Sequence, residues 1–178
     1  MSQVRIVDDQ DQDVPVGEPG EILTRGPHMM RGYWRREEET VRTMRGGWIH
    51  TADVARADED GFIYIVDRAK DMIISGGMNV YSVEVENVLM EHPAVREACV
   101  IGVPDDKWGE AVTAFVVVRE NERLGSDELI AFAGRKLAAY SRPKRVDFVP
   151  EIPKTPYGKM DKKAIRAQFW KDQGRQVH

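Results

Sequence analysis

The spacing of apolar residues changes at about Asp71, and that change limits the chain to two differently built parts. Before it, strand-sized apolar runs alternate with turn residues. Residues 4–7 (VRIV) and 21–24 (EILT) flank a loop holding Pro15, Gly17, Pro19 and Gly20, which predicts a meander. A short charged helix is predicted at 37–44, followed by strands at 48–55 and 62–67. The turn 58–61 (DEDG) joins these two strands as a hairpin, with Gly61 supplying a positive φ. After Asp71 the helix and strand periods mix. Ser82 is predicted to cap a helix running to about Glu91, with Val83, Val85, Val88 and Leu89 as a partial apolar stripe and His92-Pro93 as its stop. Two β-branched runs, 95–103 and 111–118, read as strands. A second helix begins at Ser126, with Asp127 and Glu128 in its dipole-favoured first turn and Leu129, Phe132, Ala133, Leu137 and Tyr140 at helical spacing. A strand at 145–149, a Pro- and Gly-rich loop at 150–158 and a helix at 161–170 finish the pattern. The order α-β-β-α-β-α predicts a small α+β domain, one mixed or antiparallel sheet with helices packed on it.

With 178 residues and 42% hydrophobic content the chain can bury at least one core. Lys and Arg number 26 against 30 Asp and Glu, a net charge of −4, so no overall basic field favours nucleic acid or anionic lipid as a partner. Cys99 stands alone inside an apolar run, which excludes a disulfide framework and a zinc knuckle and predicts a buried core thiol in a reducing compartment. No apolar stretch approaches the roughly 18 to 20 residues needed to span a bilayer, and no signal-peptide core follows the first residues. A cytoplasmic protein is expected. Because a strand-like run opens the chain almost at once, entry into the middle of a larger fold is expected as well.

Generic chemical motifs fail on inspection. At Gly158-Lys159 a phosphate loop would need Ser or Thr where Met160 stands and a glycine five residues before Gly158. The acidic turn around Gly61 would put Arg56 at the first ligand position of a calcium loop, where an oxygen is required. His28, His50, His92 and His178 have no metal-ligand spacing, so no metal site is predicted.

Four segments carry more information together. They are GEILTRG at 20–26 with MRGY at 30–33; GWIHTAD at 47–53; DRAKDMIISGG at 67–77 with VEVE at 83–86; and PKTPYGK at 153–159. In this order and spacing they resemble the blocks of adenylate-forming enzymes, the superfamily of acyl-CoA synthetases, luciferases and peptide-synthetase adenylation domains. Ala52 departs from the glycine usual in the second block, and Tyr157 stands where serine is commoner in the last. The resemblance implies a barrel-like last β subdomain of a large N-terminal domain at 1–69 and a mobile C-terminal lid domain at 70–178. It also implies that the rest of the N-terminal domain, with its phosphate loop, adenine grip and acyl pocket, lies outside this chain.

The same resemblance assigns roles. Asp53 would accept both ribose hydroxyls of ATP or acyl-AMP, a task suited to an ionised acceptor-only group. Arg68 would lie beside that ribose and the α-phosphate, where a planar, always-charged fork gives directed bonds. Lys70 would be the hinge about which the lid turns. Lys159 would be the catalytic cation, neutralising charge as pyrophosphate departs. Gly76 and Gly77 would line the approach of the CoA pantetheine arm, since missing Cβ atoms let a thin chain pass. Each has a plainer reading: a strand-end cap, a surface ion pair, a polar linker, an exposed loop lysine and an ordinary turn. The implied activity is ATP-dependent ligation of a carboxylic acid, most like a fatty acid, to CoA, with Mg2+ held by residues outside this chain. The chain alone is expected to be inactive. An adenylation domain that loads a carrier protein, and a non-catalytic module that kept the lid fold, are the alternatives.

Overall fold

Alternating inward and outward side chains build the first of two compact units, Met1–Lys70 and Asp71 onward. The structure is a computed structural model and describes residues 1–170. His178, weighed above as a metal ligand, lies outside the described residues. In the first unit β1 (Gln3–Val7), β2 (Gly20–Arg25), β3 (Met44–Arg45), β4 (Trp48–Ala57) and β5 (Ile63–Arg68) form one antiparallel sheet in which β4 pairs with β2, β3 and β5. The short helix α1 (Glu37–Thr43) precedes β3. Val7, Leu23, Val54, Ala55 and Val66 are its buried apolar side chains. Gly20 opens β2 where a Cβ would stand 2.4 Å from the Val7 carbonyl oxygen, so only glycine allows the two strands to meet there. The predicted hairpin turn forms with Gly61 at φ 84°. The carboxylate of Asp58 accepts the backbone N–H groups of Asp60 and Phe62 across it.

A single 3-10 turn, Ala69–Asp71, leads into the second unit. There β6 (Ile73–Ser75), β7 (Met78–Val80), β8 (Val95–Asp105), β9 (Gly109–Val118) and β10 (Arg145–Phe148) make a mixed sheet, β10 running parallel to β9 and the other pairs antiparallel. Helices α2 (Ser82–Met90), α3 (Ser126–Ala133) and α4 (Lys162–Arg166) pack on it. The β8–β9 hairpin is buried on both faces, which explains the near-continuous apolar stretches at 98–103 and 111–118. Ala98, Val100, Val112, Ala114 and Val116 join Val85 and Leu89 of α2 and Leu129 and Ala133 of α3. The alternate residues Cys99, Ile101, Phe115 and Val117 meet Ile152 and Ile165. Mixed α+β architecture is therefore as expected.

Four local expectations need correction. The β6–β7 hairpin was not anticipated, because three-residue strands leave too short a period to detect. Tyr81, not Ser82, is the N-cap of α2 and makes no side-chain cap bond; Ser82 is already helical and its hydroxyl is engaged by Lys162 Nζ at 2.6 Å. Helix α3 ends at Ala133, before the poor helix former Gly134, so Leu137 and Tyr140 fall in the turns that follow. Helix α4 spans only five residues, capped by Asp161, whose carboxylate accepts the Ala164 N–H at 3.0 Å. Buried polar contacts fasten α4 in place. Lys162 Nζ lies 2.7 Å from Glu86 Oε1, and Arg166 pairs with Asp71 at 2.8 Å. Among the described residues no helix is long and apolar enough to cross a membrane.

Candidate functional site

Asp53 owes its position to an irregularity in β4. Glu21 pairs with Val54 and Leu23 with His50, so residues 51, 52 and 53 on β4 face Ile22 alone on β2, a bulge of two extra residues. Ala52 sits in the middle at φ 58°, a left-handed conformation that costs an L-residue with a Cβ roughly 1 kcal/mol. This is the position where the resemblance leads one to expect glycine. Thr51 spans the bulge, donating its hydroxyl to the Ile22 carbonyl at 2.9 Å and accepting the Asp53 N–H at 3.1 Å. Glu21 closes it from the facing strand: one carboxylate oxygen accepts the Ala52 N–H at 2.9 Å and the other lies 2.9 Å from His50 Nδ1.

Arg68 is the direct cross-strand partner of Asp53 in the β4–β5 pair. Its Nε donates to Asp53 Oδ1 at 2.9 Å, with side chains 56% and 27% exposed. An acceptor-only carboxylate and a five-donor cation are thus fixed side by side at the surface, with one guanidinium edge uninvolved in that bond. The pair can receive hydroxyls on one group and phosphate oxygens on the other. Beneath it the buried Asp67 accepts the Arg68 backbone N–H at 2.7 Å, holding the strand end on which Arg68 is mounted.

The remaining candidates occupy separate places. Lys70 is exposed, in the middle of the 3-10 turn that joins the two units. Gly76 and Gly77, at φ 60° and 79°, form the two-residue turn of the β6–β7 hairpin, the geometry that left-handed glycines favour. A Cβ at Gly76 would come within 3.0 Å of the Trp108 ring, whereas one at Gly77 would meet open space. Lys159 stands exposed in a stapled loop. The Thr155 N–H donates to the Lys159 carbonyl at 2.7 Å, the Lys159 N–H donates to Thr155 Oγ1 at 3.2 Å, and Lys154 bridges to Met160. The backbone is held while the ammonium projects. Glu21, His50 and Thr51, which shape the Asp53 bulge, were not singled out from sequence. Their signal is weak, because a bulge is set by pairing between distant strands.

Among the described residues no group of three or more His, Cys, Asp or Glu side chains could hold a metal ion. Cys99 is fully buried, and burial pushes its thiol up to about 12.

Comparison with known proteins gives the same ordering of parts. Residues 84–159 match the family described as AMP-binding enzyme C-terminal domain, and residues 1–34 match the family described as AMP-binding enzyme. A medium/long-chain-fatty-acid–CoA ligase, FadD8 of Mycobacterium tuberculosis, is 49% identical over 99% of this chain and 32% of its own length. A fatty acid–[acyl-carrier-protein] ligase, ScoC of Streptomyces coeruleorubidus, is 40% identical over 98% of this chain and 34% of its own. The solved amide bond synthetase McbA from Marinactinospora thermotolerans superposes with a TM-score of 0.88 at 46% identity, covering 94% of this chain and 35% of that one. The chain thus spans about a third of the length of these relatives. Two family models in their proper order, and relatives this similar along nearly the whole sequence, establish that the chain belongs to the adenylate-forming superfamily of AMP-binding enzymes.

Proposed function

We propose that this chain is the lid-bearing C-terminal portion of an ATP-dependent acid:CoA ligase. In the first half-reaction a carboxylate oxygen attacks the α-phosphorus of ATP; the acyl O–P bond forms, the bond to the β-phosphate oxygen breaks, and acyl-AMP and pyrophosphate result. In the second, the CoA thiolate attacks the acyl carbonyl carbon, the C–S bond forms, and AMP leaves with the electrons of the acyl C–O bond. The observation that carries the reading is the Asp53–Arg68 pair, a surface-mounted carboxylate and guanidinium 2.9 Å apart in a chain of an AMP-binding family.

In this reading Asp53 accepts the two ribose hydroxyls, and Arg68 donates to the ribose and the α-phosphate. Lys159 neutralises charge developing between carboxylate and α-phosphate, an interaction stronger in the transition state than before it. The lid, residues 70–178, then turns about Lys70 and brings the Gly76–Gly77 turn to the pantetheine approach. Similarity to FadD8 supports a fatty acid as the acid. Mg2+ accompanies ATP in such chemistry, and the described residues form no cluster suited to hold it. A buried Cys99 with a raised thiol pKa suits a reducing compartment, and the cytoplasm is the proposed location.

A second reading keeps adenylation and changes the acceptor to a carrier protein. Similarity to ScoC favours it. A chimera in which this chain replaces the matching third of FadD8 separates the readings. Fatty-acid-dependent ATP–pyrophosphate exchange with release of acyl-CoA is the expected result, whereas acyl transfer to a carrier protein but not to CoA would select the second. A chimera that binds ATP but supports neither half-reaction would overturn both. The 178-residue chain alone is expected to catalyse no exchange, and measurable exchange by it would mean that it carries a complete triphosphate site of its own.

A further inference from the structure

We propose that Glu21 is a positioning residue for Asp53, aiming the ribose-reading carboxylate by clamping the β4 bulge from the neighbouring strand. The proposal rests on the ribose reading of Asp53 given above. Asp53 cannot take its place from regular pairing with β2, because three residues of β4 oppose one of β2 at this point. Something must fix the two extra residues in one conformation. Ala52 is held at φ 58° without the freedom of glycine, so the bulge sits in a backbone region that its own sequence disfavours. Thr51 ties the bulge from within, and the contact that restrains Ala52 from the neighbouring strand is the Glu21 carboxylate on the Ala52 N–H.

The clamp is itself braced. His50, only 6% exposed at its side chain, lies between Glu21 on its Nδ1 side at 2.9 Å and Asp11 on its Nε2 side at 3.9 Å. Facing an ionised acceptor, Nδ1 carries the proton and donates to Glu21. One Glu21 oxygen therefore grips His50, three residues before Asp53 on the strand, and the other grips Ala52, directly before it. Their shared carbon skeleton fixes the distance between them. Asp53 emerges from that fixed segment with its N–H on Thr51 and its carboxylate on Arg68. A bulge free to slip by one residue would turn the Asp53 side chain to the opposite face of the sheet.

The test uses the whole 178-residue chain and nitrogen-15 NMR, reading the Arg68 Nε–Hε cross-peak and the Asp53 amide with AMP or 2′,3′-dideoxy-AMP added. In the unaltered chain Arg68 is expected to stand away from the free-arginine position, and AMP alone should shift both signals. Glu21→Ala should return the Arg68 cross-peak to the free position and abolish the difference between the two nucleotides, with amides of residues 71–170 unmoved. Glu21→Gln keeps an oxygen for the Ala52 N–H, and its NH2 can donate to His50 Nδ1 once the imidazole takes its other tautomer, so it should restore both readouts. Glu21→Asp keeps the charge but shortens the reach by one methylene, so it should behave like Glu21→Ala; it decides the matter if Glu21→Ala does not fold. Retention of both readouts in Glu21→Asp or Glu21→Ala would overturn the proposal. An unaltered chain whose Arg68 signal is displaced but which answers AMP and the dideoxy nucleotide alike would instead overturn the ribose reading, and with it the purpose of the clamp.

Discussion

Arg68 and Asp53 face each other directly across β5 and β4, with Arg68 Nε 2.9 Å from Asp53 Oδ1. An ion pair this exposed adds at most about 1 kcal/mol to stability. Its fixed geometry therefore matters more to a ligand than to the fold. The guanidinium is directed by one bond to the carboxylate, and Arg68 is mounted on a strand end whose backbone N–H is fastened to the buried Asp67.

Replacing Asp53 with Ala in the FadD8 chimera should lower acyl-adenylate formation by about 10- to 100-fold, the range expected when hydrogen bonds to a charged group, about 1.5 to 3 kcal/mol, are removed. The loss should fall mainly on the apparent affinity for ATP. Exchange kinetics at varied ATP check this, and a melting temperature within about 2 °C of the parent would match a surface pair.

Ala52→Gly should stabilise the chain. At φ 58° the present residue carries left-handed strain that glycine avoids, and relief should exceed the added unfolded-state entropy by about 0.5 kcal/mol. For a chain of this size that raises the melting temperature by about 1 to 2 °C, measurable by calorimetry.

Sequence was most legible where a local rule and the global fold coincide. The β8–β9 hairpin could be read because both faces are buried, which makes its central stretches apolar and rich in β-branched residues. The hairpin turn at Gly61 could be read because its chemistry is contained in four residues. The bulge that aims Asp53 could not. Glu21 and Ala52 lie 31 positions apart, and only strand pairing brings the carboxylate to the amide. Helix α3 was overextended because Leu137 keeps the apolar spacing while packing on the core from a turn. The stripe recorded burial, and burial does not require a helix. Ser82 misled for a related reason: a good capping residue lies inside the helix, where Lys162 from α4 claims its hydroxyl.

Lys162→Ala should destabilise the second unit by about 3 kcal/mol or more, because it leaves Glu86 charged and poorly solvated, both side chains being about nine-tenths buried, at 12% and 11% exposure. Lys162→Met with Glu86→Gln should recover at least half, since the amide oxygen still accepts the Val100 N–H that Glu86 now takes at 2.7 Å. Denaturant unfolding of the two variants decides it, and hydrogen exchange should confine the loss to residues after Asp71.

Cys99 should resist alkylation at pH 8 while the chain is folded, with modification appearing only as fast as the second unit opens. The pH dependence has a definite sign. The folded thiol is raised from its ordinary 9.0 to about 12 by burial. Its contribution to stability is therefore fully present below about pH 9 and is lost as pH rises from there toward 12. Subtracting the stability of Cys99→Ala from that of the parent, at pH 7 and pH 10, should show a difference that shrinks at the higher pH.

Lys159 gives the sharpest test of a lid that works in two orientations. Its backbone is fastened twice to Thr155, at 2.7 Å and 3.2 Å, so replacing the side chain should leave the loop intact. A preorganised cation aimed at developing negative charge contributes on the order of 3 to 4 kcal/mol, or about 10² to 10³ in rate. In the chimera, Lys159→Ala should lower adenylation by about that factor and leave thioester formation from supplied acyl-AMP largely unchanged, because the ammonium is needed only while pyrophosphate departs. Lys70→Pro should do the reverse: a proline ring fixes φ near −65° and stiffens the 3-10 turn between the units, sparing adenylation and blocking transfer to CoA. The two half-reactions are measured separately on both variants. Equal slowing of both by Lys159→Ala, or of neither by Lys70→Pro, would remove the two-orientation mechanism and leave the second unit as a binding module with the lid fold.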